Sequence, residues 1–368
     1  MCSAGVPPAT ARLGQARYSM TTNSLIIWGV GLAVLSGIMN GTFTLPMRFL
    51  GRWSWENVWA LFILVACIIM PVGVAAATVS HLGDTLVMAP SRALLIAIGA
   101  GFAWGFGAIM FGQGVSALGI AMGNTLVLAI SASLGSFLPI LVLAPERLTG
   151  PQGKAIMLGM AIGIVGIVLC GYAGLRRERS QKAQETGVRG EMVGKGRPFS
   201  VGLLLCVGSG LLSAVFNIGY SSAQGIVASA ERLGNSAFAG SNVIWMLMLS
   251  SGAIANLLFC GYLFRTNRSW SKYRAQDAAP LYGLAILMGL LWGGSIFVYG
   301  AAAPRLGQLG PAIGWPLSLV VGLLVANLCG TLTGEWQYSA AADRYWMIAG
   351  LLVLLVAISA LGWSSTVI

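Results

Sequence analysis

The chain has 368 residues, of which 57% are hydrophobic and only 8% charged, with 21 Lys and Arg against 10 Asp and Glu. A soluble domain carries roughly a quarter charged residues, so this composition, with a mean hydropathy of +0.83, excludes an ordinary soluble fold. The positive balance does not point to nucleic acid, because the Lys and Arg residues flank long apolar tracts, where basic residues record membrane topology.

In chain order, residues 1–24 read as an N-terminal tail, disordered over 1–19, with Met20 a candidate start. Arg12 and Arg17 precede an apolar run too long for the core of a signal peptide. A helix that crosses the ~30 Å hydrocarbon core needs about 20 mainly apolar residues. Stretches of that length lie at 25–46, 57–79, 93–115, 121–143 and 154–174, then at 200–223, 238–263, 281–303, 309–332 and 345–363. The apolar runs are continuous, whereas a membrane strand would alternate over about 10 positions. The expected fold is therefore an all-α membrane protein of ten transmembrane helices. Between the two groups of five, residues 175–198 form a flexible basic linker, so the halves are 25–174 and 199–368.

The halves match internally. Trp104-Gly105 returns as Trp292-Gly293, and at the same offset Gly112 returns as Gly300 and Leu118-Gly119 as Leu306-Gly307. With one residue inserted, Glu146 returns as Glu335. At a second offset Gly29, Ser36, Gly37 and Phe43 return as Gly202, Ser209, Gly210 and Phe216. Such duplication is a common way to build an alternating-access transporter. An odd number of helices per repeat inverts one half relative to the other. Of the 21 basic residues, seven fall on the side of the N-terminus and fourteen on the side of the 175–198 loop. That loop is then cytoplasmic and both termini lie outside.

Conventional catalysis finds no support. There is one histidine, His81, and no P-loop, G-x-S-x-G or metal-spaced cluster. The six cysteines form no C-x-x-C, and five of them lie in apolar spans, where cysteine is a small core residue. No cofactor, metal or disulfide is expected. Selective binding must then come from uncharged groups inside the spans. Asn40 stands in the first helix, Trp104 and Gln113 in the third, and Asn124, Ser131 and Ser133 in the fourth. Asn217 and Tyr220 follow in the sixth, Trp292 and Tyr299 in the eighth, and Trp315 between Pro311 and Pro316 at the start of the ninth. Buried amides and hydroxyls either join helices or face a cavity. Tryptophan ordinarily sits at the membrane interface, and Trp104 and Trp292 at mid-span suggest the walls of a solute site. The acids lie at span ends. Glu56 follows Trp53-Ser54-Trp55, where Ser54 can cap the helix; Glu146 and Glu335 close the fourth and ninth helices, with Arg147 or Arg344 as possible gate partners.

These residues resemble a known family. Ser36-Gly37 through Pro46, then Trp53-Ser54-Trp55-Glu56, Trp104-Gly105, Leu118-Gly119 and Glu335-Trp336 are similar to the L-rhamnose–proton symporter family of the drug/metabolite transporter superfamily. The likeness runs over nearly the whole chain from Met20. It implies import of L-rhamnose or a similar small neutral sugar, coupled to protons, across a bacterial inner membrane. Asn40, Trp104, Gln113, Asn217, Trp292, Tyr299 and Trp315 are then candidate sugar contacts. Glu56, Glu146 and Glu335 are candidates for proton coupling or gating. Two other readings fit the same residues: a transporter of that superfamily for another small polar metabolite, and a non-transporting membrane sugar sensor.

Overall fold

The structure, a computed structural model, describes residues 9–143, 145–188, 198–275, 278–306, 314–337 and 339–364. They form α1 (Ala9–Thr42), α2 (Trp55–Leu64), α3 (Met70–Thr78), α4 (Leu82–Met88), α5 (Ser91–Leu118), α6 (Ile120–Leu143) and α7 (Pro151–Val188). After these come α8 (Phe199–Ser222), α9 (Gly225–Arg232), α10 (Ala237–Asn267), α11 (Ala279–Leu306), α12 (Trp315–Leu332) and α13 (Ala341–Ser364). No strand occurs among the described residues. Among the described residues, eight helical segments are long and apolar enough to cross a membrane: Leu25–Phe49, Trp55–Thr78, Ser91–Leu118, Pro151–Arg177, Phe199–Arg232, Ala237–Asn267, Ala279–Ala303 and Ala341–Trp363. Ile120–Leu134 in α6 and Leu317–Leu332 in α12 are shorter apolar stretches. Helices suit this setting because they satisfy their backbone groups internally.

Two stretches differ from expectation. α1 begins at Ala9, inside the region read as a disordered tail, and α7 continues to Val188, inside the region read as a flexible linker. The tail is read from its having no counterpart in the second half, and the linker from its lack of apolar residues. Each stretch is fused to an apolar helix that has already supplied the costly nucleus, and extension is then cheap.

The chain passes from α2 to α3 through a π turn at Val65–Ile69. Pro71 has no N–H for the carbonyl of Cys67 four residues back. Ser250 of α10 supplies the missing donor, its hydroxyl reaching Cys67 O at 3.2 Å. A proline in the sequence is thus answered by a serine from another helix, which keeps the break satisfied inside the bundle.

Two apolar clusters organise the packing. One contains Trp59, Ile63, Met248 and Met288 and joins α2, α5, α10 and α11. The other contains Met122, Leu126, Leu323 and Leu354 and joins α6, α7, α12 and α13. α1 and α8 bridge them, since α1 packs on α11 and α12 and α8 packs on α5 and α6. Close approach depends on small residues. A Cβ on Gly37 would lie 2.5 Å from Ser318 O of α12, and one on Gly210 would lie 2.4 Å from Ile130 of α6. A Cβ on Gly105 would come within 2.4 Å of Gly252 O of α10. Gly37→Leu should therefore force α1 off α12 and cost about 1–3 kcal/mol or more, read as a lower melting temperature of the purified protein in detergent. An unchanged melting point would show that the interface has slack.

Candidate functional site

A cavity of about 170 Å3 opens where the two clusters meet. It has room for on the order of ten water-sized groups, the scale of one monosaccharide. Its lining is two-faced. Trp59 and Phe62 from α2, Trp104 and Phe111 from α5, Trp245 from α10 and Trp292 from α11 form an aromatic side. Asn40 from α1, Asn124 and Ser131 from α6, and Ser209, Ser213 and Asn217 from α8 supply the polar groups. Among the described residues, no acidic or basic side chain lines it.

Trp104 and Trp292 stack on each other, with ring centroids 5.6 Å apart and planes 13° from parallel. That spacing leaves no slot for a sugar between the two indoles, so together they make one continuous wall. Phe216 flanks Trp104 at 5.1 Å, and Phe43 flanks Trp292 at 6.4 Å.

Trp59 is held from behind. Its indole N–H donates to Asn256 Oδ1 at 2.8 Å, and Asn256 Nδ2 donates to Gly105 O and Gly252 O, each at 2.9 Å. Asn256 is wholly buried, and it ties the cavity wall on α2 to the α5–α10 contact. Asn256→Leu leaves the buried Trp59 indole N–H unpaired, at about 1–3 kcal/mol. The expected result is a lower melting temperature together with weaker sugar binding; full stability would contradict this role.

On the polar side, Asn124 gives both amide hydrogens away, to Thr44 Oγ1 at 3.0 Å and Ile120 O at 2.9 Å. Ser36 bonds Ser295 O at 2.8 Å and the Ser318 hydroxyl at 3.0 Å, away from the cavity lining. Its repeat counterpart Ser209 lines the cavity. Of the seven residues expected to touch solute, Asn40, Trp104, Asn217 and Trp292 come together here. Gln113 is buried on α5, and Tyr299 is half-buried on α11, both outside the lining. Trp315 opens α12, but its side chain lies outside the described residues. Trp59, Trp245, Ser209 and Ser213 were not anticipated. One signal for Trp59 was available: Trp55, Trp59 and Phe62 recur at helical spacing on one face.

The three acids sit apart from the cavity. Glu56 is buried and accepts from the Ser269 hydroxyl and, at 3.0 Å, from Asn267 Nδ2. Ser54 occupies the N-cap position of α2 without capping it; its hydroxyl accepts from Lys272 Nζ at 2.8 Å. Glu335 is also buried and accepts from the backbone N–H of Ile120 at 2.5 Å and of Ala121 at 3.0 Å. It thus caps the start of α6, where a carboxylate complements the helix dipole. Arg177, rather than the expected Arg344, is its cation at 3.9 Å, and Arg177 also donates to Leu118 O at 2.5 Å. Gly119 makes this fit possible. Its φ is +90°, and a Cβ there would lie 2.8 Å from the Glu335 carboxylate. Nearby Arg48 donates to Thr333 O at 2.9 Å, and Asn327 Nδ2 to Thr125 Oγ1 at 2.8 Å. The end shared by α6 and α12 is therefore fastened by hydrogen bonds. Glu146 is exposed on the 3-10 turn Pro145–Thr149 after α6, roughly 35 Å from Glu335 along that helix. The side chain of Arg147 lies outside the described residues.

Proteins named L-rhamnose-proton symporter from Yersinia pestis (strain Pestoides F) and Yersinia pseudotuberculosis (strain YPIII) are each 26% identical over 347 residues, covering 92% of this chain and 98% of the relative. A model of the L-rhamnose-proton symport protein family matches residues 22–366. With nearly its whole length matched, this chain belongs to the L-rhamnose-proton symport protein family, a family of transporters rather than enzymes.

Proposed function

We propose that the protein imports L-rhamnose or a similar small neutral sugar by proton symport, with alternating access through the cavity described above. The carrying observation is the two-faced lining. A sugar ring presents C–H surface that suits the indole wall and hydroxyls that suit amides and serines, and an uncharged lining favours a neutral solute. In this reading the sugar rests on the Trp104–Trp292 wall and bonds to Asn40, Asn217, Ser209 and Ser213, with Asn124 offering its carbonyl oxygen. Gln113, Tyr299 and Trp315 take part when the cavity changes shape.

Ten membrane helices in two inverted five-helix halves, as in the drug/metabolite transporter superfamily, would supply the alternation. Reciprocal packing supports this. α5 packs on α8 as α11 packs on α1, α6 on α8 as α12 on α1, and α10 on α5 as α2 on α11. The repeated glycines act alike too, Gly37 against α12 and Gly210 against α6. The 175–198 segment would face the cytoplasm of a bacterial inner membrane, with both termini outside. Glu335 then closes the cytoplasmic end of α6 and α12. A proton on it removes the charge that Arg177 and the α6 N–H groups hold, and so loosens that end. Glu146 would act equivalently at the outer end, while Glu56 fixes the loop before α11.

Uptake of labelled L-rhamnose into proteoliposomes tests the reading. Saturable uptake that rises with an inward proton gradient and falls with a protonophore is expected. Absence of saturable uptake would remove the substrate, and indifference to the gradient would remove symport.

A further inference from the structure

α2 separates two hollows. It turns Trp59 and Phe62 toward the sugar cavity, and Ala60, Leu61 and Leu64 toward a groove of about 600 Å3. The opposite bank is α10, through Leu257, Gly261 and Phe264. Its end is closed by Trp270, Tyr273 and Arg274 of the 3-10 turn Ser269–Arg274, with Tyr282 behind. Large apolar side chains in and beside the groove are exposed: Leu64 by 38%, Leu258 by 68% and Tyr262 by 63%. In a membrane protein such surface meets lipid. From Leu257 to Phe264 the groove follows roughly 10 Å of α10, about a third of the ~30 Å hydrocarbon core.

The wall is rigid and apolar. Trp270 meets Phe264 edge-on at 5.0 Å and Tyr273 at 5.4 Å, and Tyr273 stacks on Tyr282 at 5.6 Å. Both phenols are occupied, Tyr273 donating to Asn57 O at 2.7 Å and Tyr282 to Tyr273 O at 3.1 Å. The groove therefore offers ring faces and aliphatic surface but no free hydroxyl donor from these tyrosines, which suits a hydrocarbon chain. Arg274 is the basic residue of the lining, and Arg265 and Arg268 are exposed at the adjoining end of α10; among the described residues none of the three forms a salt bridge. Glu56, at the start of the facing α2, is buried and engaged by Ser269 and Asn267.

We propose that this groove is a binding site for an anionic phospholipid. One acyl chain lies along Leu61, Leu64, Leu257 and Gly261, and the phosphate meets Arg274 with Arg265 and Arg268 close by. Basic pockets between helices on the cytoplasmic side recognise anionic headgroups in this way. The same turn secures Glu56 and Asn57, one helical turn before Trp59 of the sugar cavity. A bound lipid would therefore brace a wall of the transport site.

Gly261 supplies a clean test, because a Cβ there meets nothing within 4 Å. Gly261→Phe places a ring in the groove from a position with room for its Cβ, and Arg274→Gln removes the charge at its end; neither residue lines the sugar cavity. Full-length, delipidated protein would be titrated with dioleoyl phosphatidylglycerol or dioleoyl phosphatidylcholine and read by native mass spectrometry, with melting temperatures as the check on folding. Wild type should retain the anionic lipid about tenfold better than the zwitterionic one, and both variants should lose that preference. Equal retention of the two lipids by wild type would overturn the site. So would full retention by Gly261→Phe when Arg274→Gln loses it, since that pattern marks surface charge without a groove.

Discussion

Glu335→Ala is expected to lower the stability of the folded protein by about 2–5 kcal/mol. The carboxylate accepts two backbone N–H groups at the start of α6 and faces Arg177. Charge-assisted bonds of this kind are roughly twice as strong as neutral ones. Alanine would leave the Ile120 and Ala121 donors unpaired and a buried guanidinium without its anion. Glu335→Gln keeps the shape and one acceptor oxygen, so it should cost less, about 1–2 kcal/mol. Its transport phenotype is the more informative one. Glutamine cannot take up and release the proton, so sugar exchange should persist while gradient-driven uptake is lost. Thermal unfolding in detergent and paired uptake and counterflow assays measure both effects. A Glu335→Gln protein that still accumulates sugar on a proton gradient would remove Glu335 from coupling and leave it a helix cap.

Trp292→Ala should give the largest loss of transport with the fold retained. Stacked indoles contribute about 0.5–1.5 kcal/mol beyond the area they bury, and the truncation also removes apolar surface from the solute. A combined loss of about 2 kcal/mol in sugar binding corresponds to roughly thirtyfold in apparent affinity. Trp104→Ala should act similarly, because the two rings form one wall. For the same reason the double variant should lose less than the sum of the singles. Trp292→Phe keeps a ring face and should recover much of the activity. Uptake kinetics on the four proteins decide the matter, and additive losses would mean that the two indoles act separately.

The sequence made some of this legible through composition and repetition. Long uncharged tracts announce helices in lipid, and the recurring Trp-Gly pair marks Trp104 and Trp292 because tryptophan at mid-span is unusual. Asn40 and Asn217 stand out as amides in apolar surroundings. What escaped has a common cause, namely partners supplied from distant segments. Glu335 looks misplaced as an acid after a helix C-terminus, until α6 brings its N-terminus to it from 215 residues away. Trp59 lies near the start of an apolar span, where an interfacial anchor is the ordinary expectation, and Asn256 is what holds it in the cavity wall. Ser36 and Ser209 are equivalent in the repeat, yet one is bonded to neighbouring helices and the other lines the cavity. A repeat in sequence specifies shared roles, and the conformation the two halves adopt decides which copy faces solute.

The most direct measurement is equilibrium binding of labelled L-rhamnose to the purified full-length protein, comparing wild type with Asn217→Leu and, as a control outside both the cavity and the groove, Gly99→Ala, whose added Cβ meets nothing within 4 Å. Wild type and Gly99→Ala should bind saturably, with competition by unlabelled rhamnose. Asn217→Leu should bind at least about tenfold more weakly, because it exchanges a hydrogen-bonding amide for an alkyl group at the cavity wall. Equal affinity in all three proteins, each with a native melting temperature, would place the sugar somewhere other than the cavity between α1, α5, α6, α8 and α11.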